Sequence, residues 1–424
     1  MCMKIYPSVL KGSIQVPPSK SYMQRALIGG LLSEGITEIF NPGRSEDDRN
    51  MLQNIEKLGA KVEDKEGEMI IKGGLQLKDN KLHAGESGLG VRLITPVVSL
   101  FDEEVIITGG GSLMQRPMHV MEKALNNLGA SCESQQGYLP LKVKGPLKGG
   151  EIAIDGSLSS QFLSGLLFTL PRAPNTSTIY VNNLKSKPYI DMTLNILEAH
   201  GINITHDHYK KFTIPGNQAY QPARHFLEGD WSNGAFLLVA GAINGSIKVM
   251  GLNSKSSQGD KKILQALHDS GAKIKQNLSD YEVEKTSALR AFHFDATETP
   301  DLFPPLACLA AYCEGTSHIK GVSRLKHKES NRAEALVREF SKAGVKIELK
   351  NDDSMQITGG NPKGGRWNSH NDHRIAMAGA VLGLKTKMPV TIEGHAAVNK
   401  SYPSFFKDLT KLNANIEKEN KNGN

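Results

Sequence analysis

Several cationic residues stand where helices are predicted to begin, and their chemistry suits an anionic ligand. In the stretch VPPSKSYMQRAL, residues 16–27, Ser19 precedes an apolar run as an N-cap would, yet Lys20 and Arg25 accompany it. The helix dipole disfavours cations at this end, whereas the free N–H groups and the positive end of the dipole attract anions. Five further cations share such a position: Arg116, Lys328, Arg332, Arg374 and Lys400. We interpret these seven residues as an anion clamp, with a solvated basic face as the alternative for each.

Two carboxylates lie among these cations. Asp301 follows Pro300, and Glu329 lies inside LKHKESNR, residues 325–332. Either could be a structural counter-ion, or either could move a proton, since a general acid or base must lie close to the reacting atom. The spacing leaves both roles open.

Polar residues at the other predicted helix starts are interpreted as caps or as locally paired residues, because Ser, Asn and Asp are favoured N-cap residues. They are Ser232, Asn233, Asp47, Asp48 and Asp260. The NDHR stretch at 371–374 offers one His and one Asp, which is a poor zinc set. The glycine run at 109–111 lacks the Lys and Ser or Thr of a phosphate-binding loop. We therefore expect neither a metal nor a cofactor.

The composition indicates a globular protein with an anionic partner. The 424 residues exceed one ordinary domain, and the apolar and charged fractions, 39% and 22%, are typical of such proteins. The net charge of +7 fits a nucleic acid or a small acidic metabolite, but no clustered, aromatic-interleaved basic strip favours nucleic acid. Four cysteines without a CxxC pair, and the absence of an apolar stretch of 18 residues, favour a cytoplasmic location and no membrane partner.

One short pattern recurs six times: the end of a helix, a turn residue and then a β-like stretch. It reads KLGAKVE, NLGASCE, AHGINIT, DSGAKIK, KAGVKIE and KLNANIE. The turn residues are 69 to 73 positions apart: Gly59, Gly129, Gly201, Gly271, Gly344 and Asn413. Gly, followed by Asn, best tolerates the left-handed conformation that ends many helices. Each site is therefore predicted to be a helix end that leads into a strand.

Each repeat also contains an earlier, strongly apolar helix. These helices are predicted at 21–33, 88–100, 159–170, 232–243, 301–313 and 373–384. Segments such as ITEIF, EVIIT and STIYV follow most of them and read as strands. The second helices are predicted to begin near residues 47, 116, 186, 259, 328 and 400. Six α/β units of this kind predict an α/β fold with two domains of three repeats each.

A set of motifs occurs in an order that identifies a family. They are SKSxxxRA (19–26), GESGxxxR (85–92), QRPM (115–118), SSQF (159–162), SKPYIDMT (186–193), PD (300–301), KHKESNR (326–332), NDHRIAMA (371–378) and NKSYPSFF (399–406). Together they resemble the 5-enolpyruvylshikimate-3-phosphate (EPSP) synthase family over nearly the whole chain. The resemblance implies two inside-out, barrel-like α/β domains of three repeats each, with an active-site cleft between them.

The same resemblance implies the domain boundaries. Repeats four to six would occupy 228–424, completed by the N-terminal strand within 1–18, and repeats one to three would occupy 19–227. Hinges are expected near 12–19 and 215–228, the second of which also shows a change in composition. The polar C-terminal stretch KENKNGN is expected to be disordered.

The implied reaction transfers the enolpyruvyl group of phosphoenolpyruvate to the 5-hydroxyl of shikimate 3-phosphate and releases phosphate, as a step of the shikimate pathway. Shikimate 3-phosphate would contact Lys20, Ser21, Arg25, Ser159, Ser160, Gln161, Ser186, Tyr189, Asp301 and Lys328. Phosphoenolpyruvate would contact Lys20, Gly88, Arg116, Gln161, Arg332, Arg374 and Lys400. Asp301 resembles the base for the 5-hydroxyl and Glu329 the group that exchanges a proton at the methylene carbon, and Lys20 and Lys400 complete the implied catalytic set. A cytoplasmic monomer that acts on small anions without a cofactor is implied as well.

Some positions depart from the family pattern. They are Gln24, Glu86, Leu89, Leu93, Arg324 and Asn331. Glu86 would repel phosphoenolpyruvate unless a cation pairs with it. Two alternative functions are considered. One is a UDP-N-acetylglucosamine enolpyruvyl transferase, whose Lys-Asn pair and loop cysteine are not found here, and the other is an RNA-end-processing or RNA-binding protein of related fold.

Overall fold

The computed structural model describes residues 2–286 and 288–419 of the chain. They form two compact units. The repeat 1–3 unit is Pro18–Leu227, and the repeat 4–6 unit joins the residues up to Pro17 to those from Glu228 onward. Most of the expected polar tail, residues 420–424, lies outside the described residues, while its first two members end a strand. No helix in the described ranges is long and apolar enough to cross a membrane.

Twelve α-helices lie in the described ranges, two in each repeat. The first helices of the six repeats are α1 (Lys20–Leu32), α3 (Gly88–Val98), α5 (Ser160–Thr169), α7 (Trp231–Asn244), α9 (Phe303–Ala311) and α11 (His373–Gly383). The second helices are α2 (Glu46–Lys57), α4 (His119–Asn127), α6 (Lys187–Ala199), α8 (Ile263–Asp269), α10 (Arg332–Lys342) and α12 (Phe405–Lys411). The repeated pair of helices predicted from the sequence is confirmed.

The strands up to the end of repeat three are β1 (Cys2–Ile5), β2 (Leu10–Gln15), β3 (Ile36–Phe40), β4 (Lys61–Lys65), β5 (Glu68–Lys72), β6 (Lys81–His83), β7 (Val105–Thr108), β8 (Ser131–Gln135), β9 (Tyr138–Lys144), β10 (Glu151–Asp155), β11 (Ser177–Asn182), β12 (Thr205–Asp207), β13 (Lys211–Ile214) and β14 (Arg224–Phe226). The later strands are β15 (Gly245–Met250), β16 (Lys273–Asn277), β17 (Asp280–Glu284), β18 (Leu289–Arg290), β19 (His293–Asp295), β20 (Cys313–Glu314), β21 (Thr316–Lys320), β22 (Lys346–Lys350), β23 (Ser354–Thr358), β24 (Gly365–Asn368), β25 (Val390–Glu393) and β26 (Ile416–Glu419).

Each repeat builds one four-stranded sheet. In repeat two, β6 and β7 are parallel neighbours, and the hairpin β8–β9 extends the sheet in the order β6-β7-β9-β8. Parallel neighbours need a crossover connection, and α3 supplies it. The same plan gives the orders β10-β11-β13-β12 and β19-β21-β23-β22 in repeats three and five.

The other three sheets borrow a strand from elsewhere in the chain. The sheet of repeat one has the order β14-β3-β5-β4, and β2 lies beside β15 in the sheet of repeat four. In repeat six β1 fills the place of the missing hairpin strand, in the order β24-β25-β1-β26. The N-terminal strands thus complete the repeat 4–6 unit, and β14 completes the repeat 1–3 unit.

All six predicted turn residues have a left-handed backbone. Their φ angles are 121° at Gly59, 91° at Gly129, 74° at Gly201, 78° at Gly271, 79° at Gly344 and 67° at Asn413. Every one follows the second helix of its repeat. The helix-end interpretation of the repeated pattern is therefore confirmed.

The first helices form the cores of the two units. All residues of α3, and all residues of α7 up to Ile243, are buried. Each unit buries its own large cluster of apolar side chains. The six four-stranded sheets stay separate, and no closed barrel forms among the described residues.

Four second helices begin later than predicted, and one of them, α8, starts at residue 263 after the 3-10 helix Gly259–Lys262. α4, α10 and α12 start at residues 119, 332 and 405, so Arg116, Lys328 and Lys400 lie in the turns that precede them. Proline disfavours helical backbone at the residue before it, and Pro117 and Pro403 lie in two of these turns. The cations at these positions therefore lie near helix starts but outside the helices.

Candidate active site

A carboxylate surrounded by cations lies in the repeat 4–6 unit. The 3-10 helix Pro300–Leu302 carries Asp301 just ahead of α9. Asp301 Oδ1 accepts hydrogen bonds from Lys328 Nζ at 3.1 Å and Arg332 Nη1 at 2.8 Å, and Oδ2 accepts from Arg374 Nη2 at 3.2 Å. Three members of the anion clamp are thus brought together around one acid.

The charges at this cluster decide its protonation. Burial alone would raise the pKa of Asp301, but Arg374, Lys328 and Arg332 outweigh burial and hold that pKa well below its usual range. Burial also lowers the pKa of Lys328, against the attraction of Asp301. Asp301 is therefore a carboxylate ion that can accept a proton.

Arg332 links the two predicted proton-handling acids. Its fork pairs with Asp372, Nε to Oδ2 at 2.9 Å and Nη2 to Oδ1 at 3.2 Å, and Nη2 also donates to Glu329 Oε2 at 2.6 Å. Burial opposes the charge of Arg332, yet Asp372, Glu329 and Asp301 raise its pKa. One buried guanidinium therefore contacts both Asp301 and Glu329.

Asp372 organises the start of α11. Its Oδ1 accepts the backbone N–H of Arg374 at 2.9 Å, as an N-cap does. The neighbouring Asn371 carbonyl accepts from Lys400 Nζ at 2.6 Å. Lys400 ends the 3-10 helix His395–Lys400. In the sequence Asp372 directly precedes His373 and Arg374, and this stretch was interpreted only as a poor metal set. The ion pair between Asp372 and Arg332 was not predicted.

Asp260 is a further acid, interpreted from the sequence as a cap or a locally paired residue. It is buried and accepts a hydrogen bond from the Ser232 hydroxyl. Burial, followed by the charge of Asp301, raises its pKa to about 6. The cap of α7 is Asp230, whose carboxylate accepts the backbone N–H of Asn233 at 2.9 Å. Ser232 and Asp260 are therefore paired with each other and do not cap α7, and the backbone N–H of Asn233 is the group that is capped.

In the repeat 1–3 unit Arg25 lies in a buried polar network. Nε donates to Thr193 Oγ1 at 2.8 Å, and Nη1 donates to the Ser21 carbonyl at 2.9 Å. Nη2 donates to Ser164 Oγ and to the Tyr189 carbonyl, both at 3.3 Å. Burial lowers the pKa of Arg25 to about 10. The guanidinium thus fixes α1 against the start of α6, where Tyr189 lies.

Lys20 is the first residue of α1 and pairs with an acid of α2. Its Nζ lies 2.7 Å from Asp47 Oδ2. Ser19 caps α1, as predicted, and Ser45 caps α2 in a capping box with Asp48. Asp47 is therefore paired with Lys20 and is not a cap, which is the second of the two roles expected for it, while Asp48 belongs to the capping box.

Gly88 begins α3 beside two arginines. A β-carbon at Gly88 would lie 2.4 Å from Arg116 Nη1 and 3.5 Å from Arg92 Nη1. Arg92 Nη1 donates to Gln161 Oε1 at 2.7 Å. The close approach of the Arg116 guanidinium to the start of α3 therefore depends on the absence of a side chain at residue 88.

Three of the serines that the resemblance assigns to shikimate 3-phosphate lie at the starts of α5 and α6. Ser159 caps α5 by accepting the Gln161 N–H at 3.2 Å, and Ser160 is the first helical residue. Ser186 precedes α6 in a left-handed conformation, with φ of 57°. Non-glycine residues in this region are uncommon and cluster at functional sites.

Five members of the anion clamp are almost fully buried: Arg25, Arg116, Arg332, Arg374 and Lys400, with exposed fractions of 0% to 6%. Charged side chains are rarely buried unless they are paired. The alternative of a solvated basic face is therefore wrong for these five residues.

Two departures from the family pattern have structural explanations. Gln24 Nε2 donates to Oγ of Ser87, the cap of α3, at 3.3 Å and so joins α1 to α3. Glu86 Oε2 accepts the N–H of Ser112 at 3.1 Å and its hydroxyl at 3.3 Å. Ser112 Oγ in turn accepts from Arg116 Nη2 at 3.4 Å. Glu86 is thus linked to a cation through one hydroxyl.

Comparison with known proteins decides the family. The family model described as EPSP synthase (3-phosphoshikimate 1-carboxyvinyltransferase) matches residues 6–409. The chain belongs to the EPSP synthase family. The motif-based identification is therefore confirmed over nearly the whole length of the chain.

Individual members of the EPSP synthase family agree with this. The 3-phosphoshikimate 1-carboxyvinyltransferase of Clostridium novyi (strain NT) is 39% identical, and 98% of each chain is covered. That of Clostridium kluyveri is 38% identical with the same coverage. The structure of EPSP synthase from Acinetobacter baumannii is similar with a TM-score of 0.83 and 26% identity, covering 98% of this chain and 99% of the other. These matches lend no support to the UDP-N-acetylglucosamine or RNA-end-processing alternatives.

Proposed function

We infer that this protein transfers the enolpyruvyl group of phosphoenolpyruvate to the 5-hydroxyl of shikimate 3-phosphate, in the shikimate pathway. The family supports this reaction. The observation that carries the mechanism is the cluster in which Arg332 contacts both Asp301 and Glu329. Addition and elimination at one carbon require one group that removes a proton from oxygen and one that exchanges a proton with carbon.

We propose that Asp301 takes the proton of the 5-hydroxyl as its oxygen attacks C2 of phosphoenolpyruvate. Glu329 in its protonated form gives a proton to C3, so that the methylene becomes a methyl group and C2 can accept the new C–O bond. In the second half Glu329 removes a proton from that methyl group, the C2–C3 double bond re-forms, and the C2–O bond to phosphate breaks. The proton held by Asp301 returns to solvent or to the departing phosphate.

The cations are proposed to hold the two substrates by charge. Arginine forks match carboxylate and phosphate oxygens, and lysine offers a point charge. Phosphoenolpyruvate is assigned to Lys20, Gly88, Arg116, Gln161, Arg332, Arg374 and Lys400. Shikimate 3-phosphate is assigned to Lys20, Ser21, Arg25, Ser159, Ser160, Gln161, Ser186, Tyr189, Asp301 and Lys328. Buried cations of this kind also stabilise negative charge that develops on the leaving phosphate.

A direct assay tests the reaction. Purified protein is incubated with shikimate 3-phosphate and phosphoenolpyruvate, and phosphate release is followed together with the mass of the organic product. We expect one phosphate for each enolpyruvyl ether formed, and no phosphate when shikimate 3-phosphate is omitted. Binding of both substrates without any product would overturn the assignment.

We further propose that the protein acts as a monomer in the cytoplasm and requires no cofactor, as the family resemblance implies. Light scattering coupled to size exclusion should give the mass of one chain. Turnover should also persist after dialysis against a chelator. A larger assembly as the only active species, or activity lost on dialysis and restored by a metal, would contradict these expectations.

A further inference from the structure

The stretch Asn368–Asp372, called here the NSHND loop, joins β24 to α11 and has an unusual backbone. His370 and Asn371 are consecutive non-glycine residues in the left-handed region, with φ of 51° and 55°. This conformation costs free energy for a residue with a β-carbon and persists only where the surroundings fix it. The NSHND loop therefore depends on contacts that hold it in place.

The buried carboxylate of Glu339, on α10, supplies such contacts. Its side chain is 0% exposed. Oε1 accepts from His370 Nε2 at 2.8 Å, and Oε2 accepts the backbone N–H of Asn368 at 2.8 Å. Lys342 Nζ lies 2.6 Å and 2.8 Å from the two oxygens. A buried carboxylate is tolerated only when its oxygens are satisfied, and two of the bonds that satisfy Glu339 come from the NSHND loop.

The other end of the loop holds members of the anion clamp. Its Asn371 carbonyl accepts from Lys400, and its Asp372 carboxylate both pairs with Arg332 and accepts the backbone N–H of Arg374. A shift of this loop would therefore move three cations together. Residues that orient the groups contacting a ligand can matter as much as those groups.

We propose that Glu339 and His370 are positioning residues for phosphoenolpyruvate. Their hydrogen bond fixes the left-handed NSHND loop, and the loop in turn fixes the cations assigned to this substrate: Lys400, Arg332 and Arg374. The inference rests on the proposed function, because that function supplies phosphoenolpyruvate as the ligand. Both residues act through the loop and not by touching substrate.

His370→Leu and His370→Gln form the decisive pair of variants. Both keep a β-carbon at the left-handed position, so the backbone cost is similar. Glutamine can offer an N–H near the position of Nε2, whereas leucine cannot donate to Glu339. The KM of each substrate and kcat are measured separately by phosphate release. We expect His370→Leu to raise the KM for phosphoenolpyruvate about tenfold and that for shikimate 3-phosphate less than about twofold, with His370→Gln close to wild type.

Controls separate positioning from general loss of structure. His293→Leu changes an exposed histidine on β19 of the same unit and should leave both KM values unchanged. The thermal midpoint of each variant shows whether it is folded, and Glu339→Gln, expected to act like His370→Leu, serves if His370→Leu does not fold.

Three results would overturn the proposal: an unchanged KM for phosphoenolpyruvate, an equal rise for both substrates, or a glutamine variant no better than the leucine variant. A wild-type protein that releases no phosphate would count against the proposed function instead.

Discussion

At the scale of single residues, the cations around Asp301 control both its charge and its basicity. They keep its pKa well below the usual range, so the carboxylate is ionised at every pH near neutrality. An acidic limb in the activity between pH 5 and 8 would therefore not come from Asp301 in the free protein. An anion that binds Arg332 or Arg374 shares their charge and makes Asp301 a stronger base. We thus expect the base to gain strength when phosphoenolpyruvate binds.

Replacing Asp301 or Glu329 by its amide should strongly lower turnover while phosphoenolpyruvate still binds. Asp301→Asn cannot take the hydroxyl proton, and Glu329→Gln cannot exchange one with carbon, so we expect kcat to fall by roughly 10²–10⁴ in each. Calorimetry should still detect phosphoenolpyruvate, because neither change removes a cation. Glu334→Gln, an exposed position on α10, is the matched control. Normal turnover in both variants would show that these roles are wrong.

Adding one carbon at Gly88 should raise the KM for phosphoenolpyruvate selectively. The new β-carbon in Gly88→Ala would lie 2.4 Å from Arg116 Nη1, so the guanidinium must move. We expect the KM for phosphoenolpyruvate to rise about tenfold while the protein stays folded. In Gly110→Ala the nearest atom is 3.9 Å away, and both KM values should match wild type. Equal kinetics in the two variants would contradict this use of Gly88.

At this scale the sequence predicted the cations better than their partners. The anion-clamp residues were found because the helix dipole disfavours cations at helix starts. Asp372 was missed as a partner, and for Asp47 and Asp260 the sequence could not decide between capping and pairing, because an acid near a helix start can do either. Nothing in the sequence indicated that Glu339 is buried, since the burial of one acid in an amphipathic helix depends on which segment packs over it.

At the scale of elements, the repeated turns were predictable because one backbone conformation selects glycine or asparagine at each of them. The strands that join the sheet of a distant repeat, β1, β2 and β14, were not predictable. β14 has only three residues and lies inside the stretch that we predicted to be a hinge, 215–228. Short strands that pair far along the chain leave little local pattern, so long-range pairing had to be seen in the structure.

The glycine turns can be tested through stability. Gly344 has φ of 79°, and its β-carbon would meet nothing closer than 3.8 Å, so Gly344→Ala isolates the backbone cost. We expect the free energy of unfolding to fall by about 1 kcal/mol. Gly360→Ala, with no atom within 4 Å and no left-handed φ, should be neutral. Urea unfolding measures both, and equal midpoints would contradict the left-handed requirement.

At the scale of the whole molecule, a pair of buried histidines makes the stability of the repeat 1–3 unit at low pH depend on β14, the strand that completes the sheet of repeat one. His225 of β14 lies with Nε2 3.0 Å from Nε2 of His200, the C-cap of α6, and both are buried. His200 Nδ1 contacts the Gln221 carbonyl at 2.7 Å, which requires Nδ1–H as donor. His200 Nε2 then accepts from His225, so the pair is bonded when both rings are neutral.

Lowering the pH should therefore weaken this unit. Burial lowers the pKa of His200, and burial with the charge of His200 lowers that of His225 to about 4. Histidines of the unfolded chain have a pKa of ~6.5. Between that pH and the folded pKa of His225, about 4, the unfolded chain binds more protons than the folded chain. The free energy of unfolding should therefore fall as the pH drops through this range. The loss from His225 is at most about 1.4 kcal/mol per pH unit.

Calorimetric unfolding from pH 7 to 4.5 measures the slope of the free energy of unfolding against pH. The slope should flatten in His225→Gln and stay the same in His119→Gln, which changes an exposed histidine. Equal slopes in wild type and His225→Gln would contradict the prediction.

The pairing of β1 with β25 and β26 has a consequence for how the chain is made. Cys2 lies opposite Glu419 in the sheet, so β1 can pair with β26 only after the chain between these two strands has been synthesised. The repeat 1–3 unit is one continuous stretch and can fold while the ribosome is still at work, whereas the sheet of repeat six cannot be completed until synthesis reaches β26. Since Cys2 and Glu419 are neighbours, a circular permutant that joins them by a short linker and opens the chain between Pro17 and Pro18 should make both units continuous. Its refolding should then depend less on contacts between distant parts of the chain.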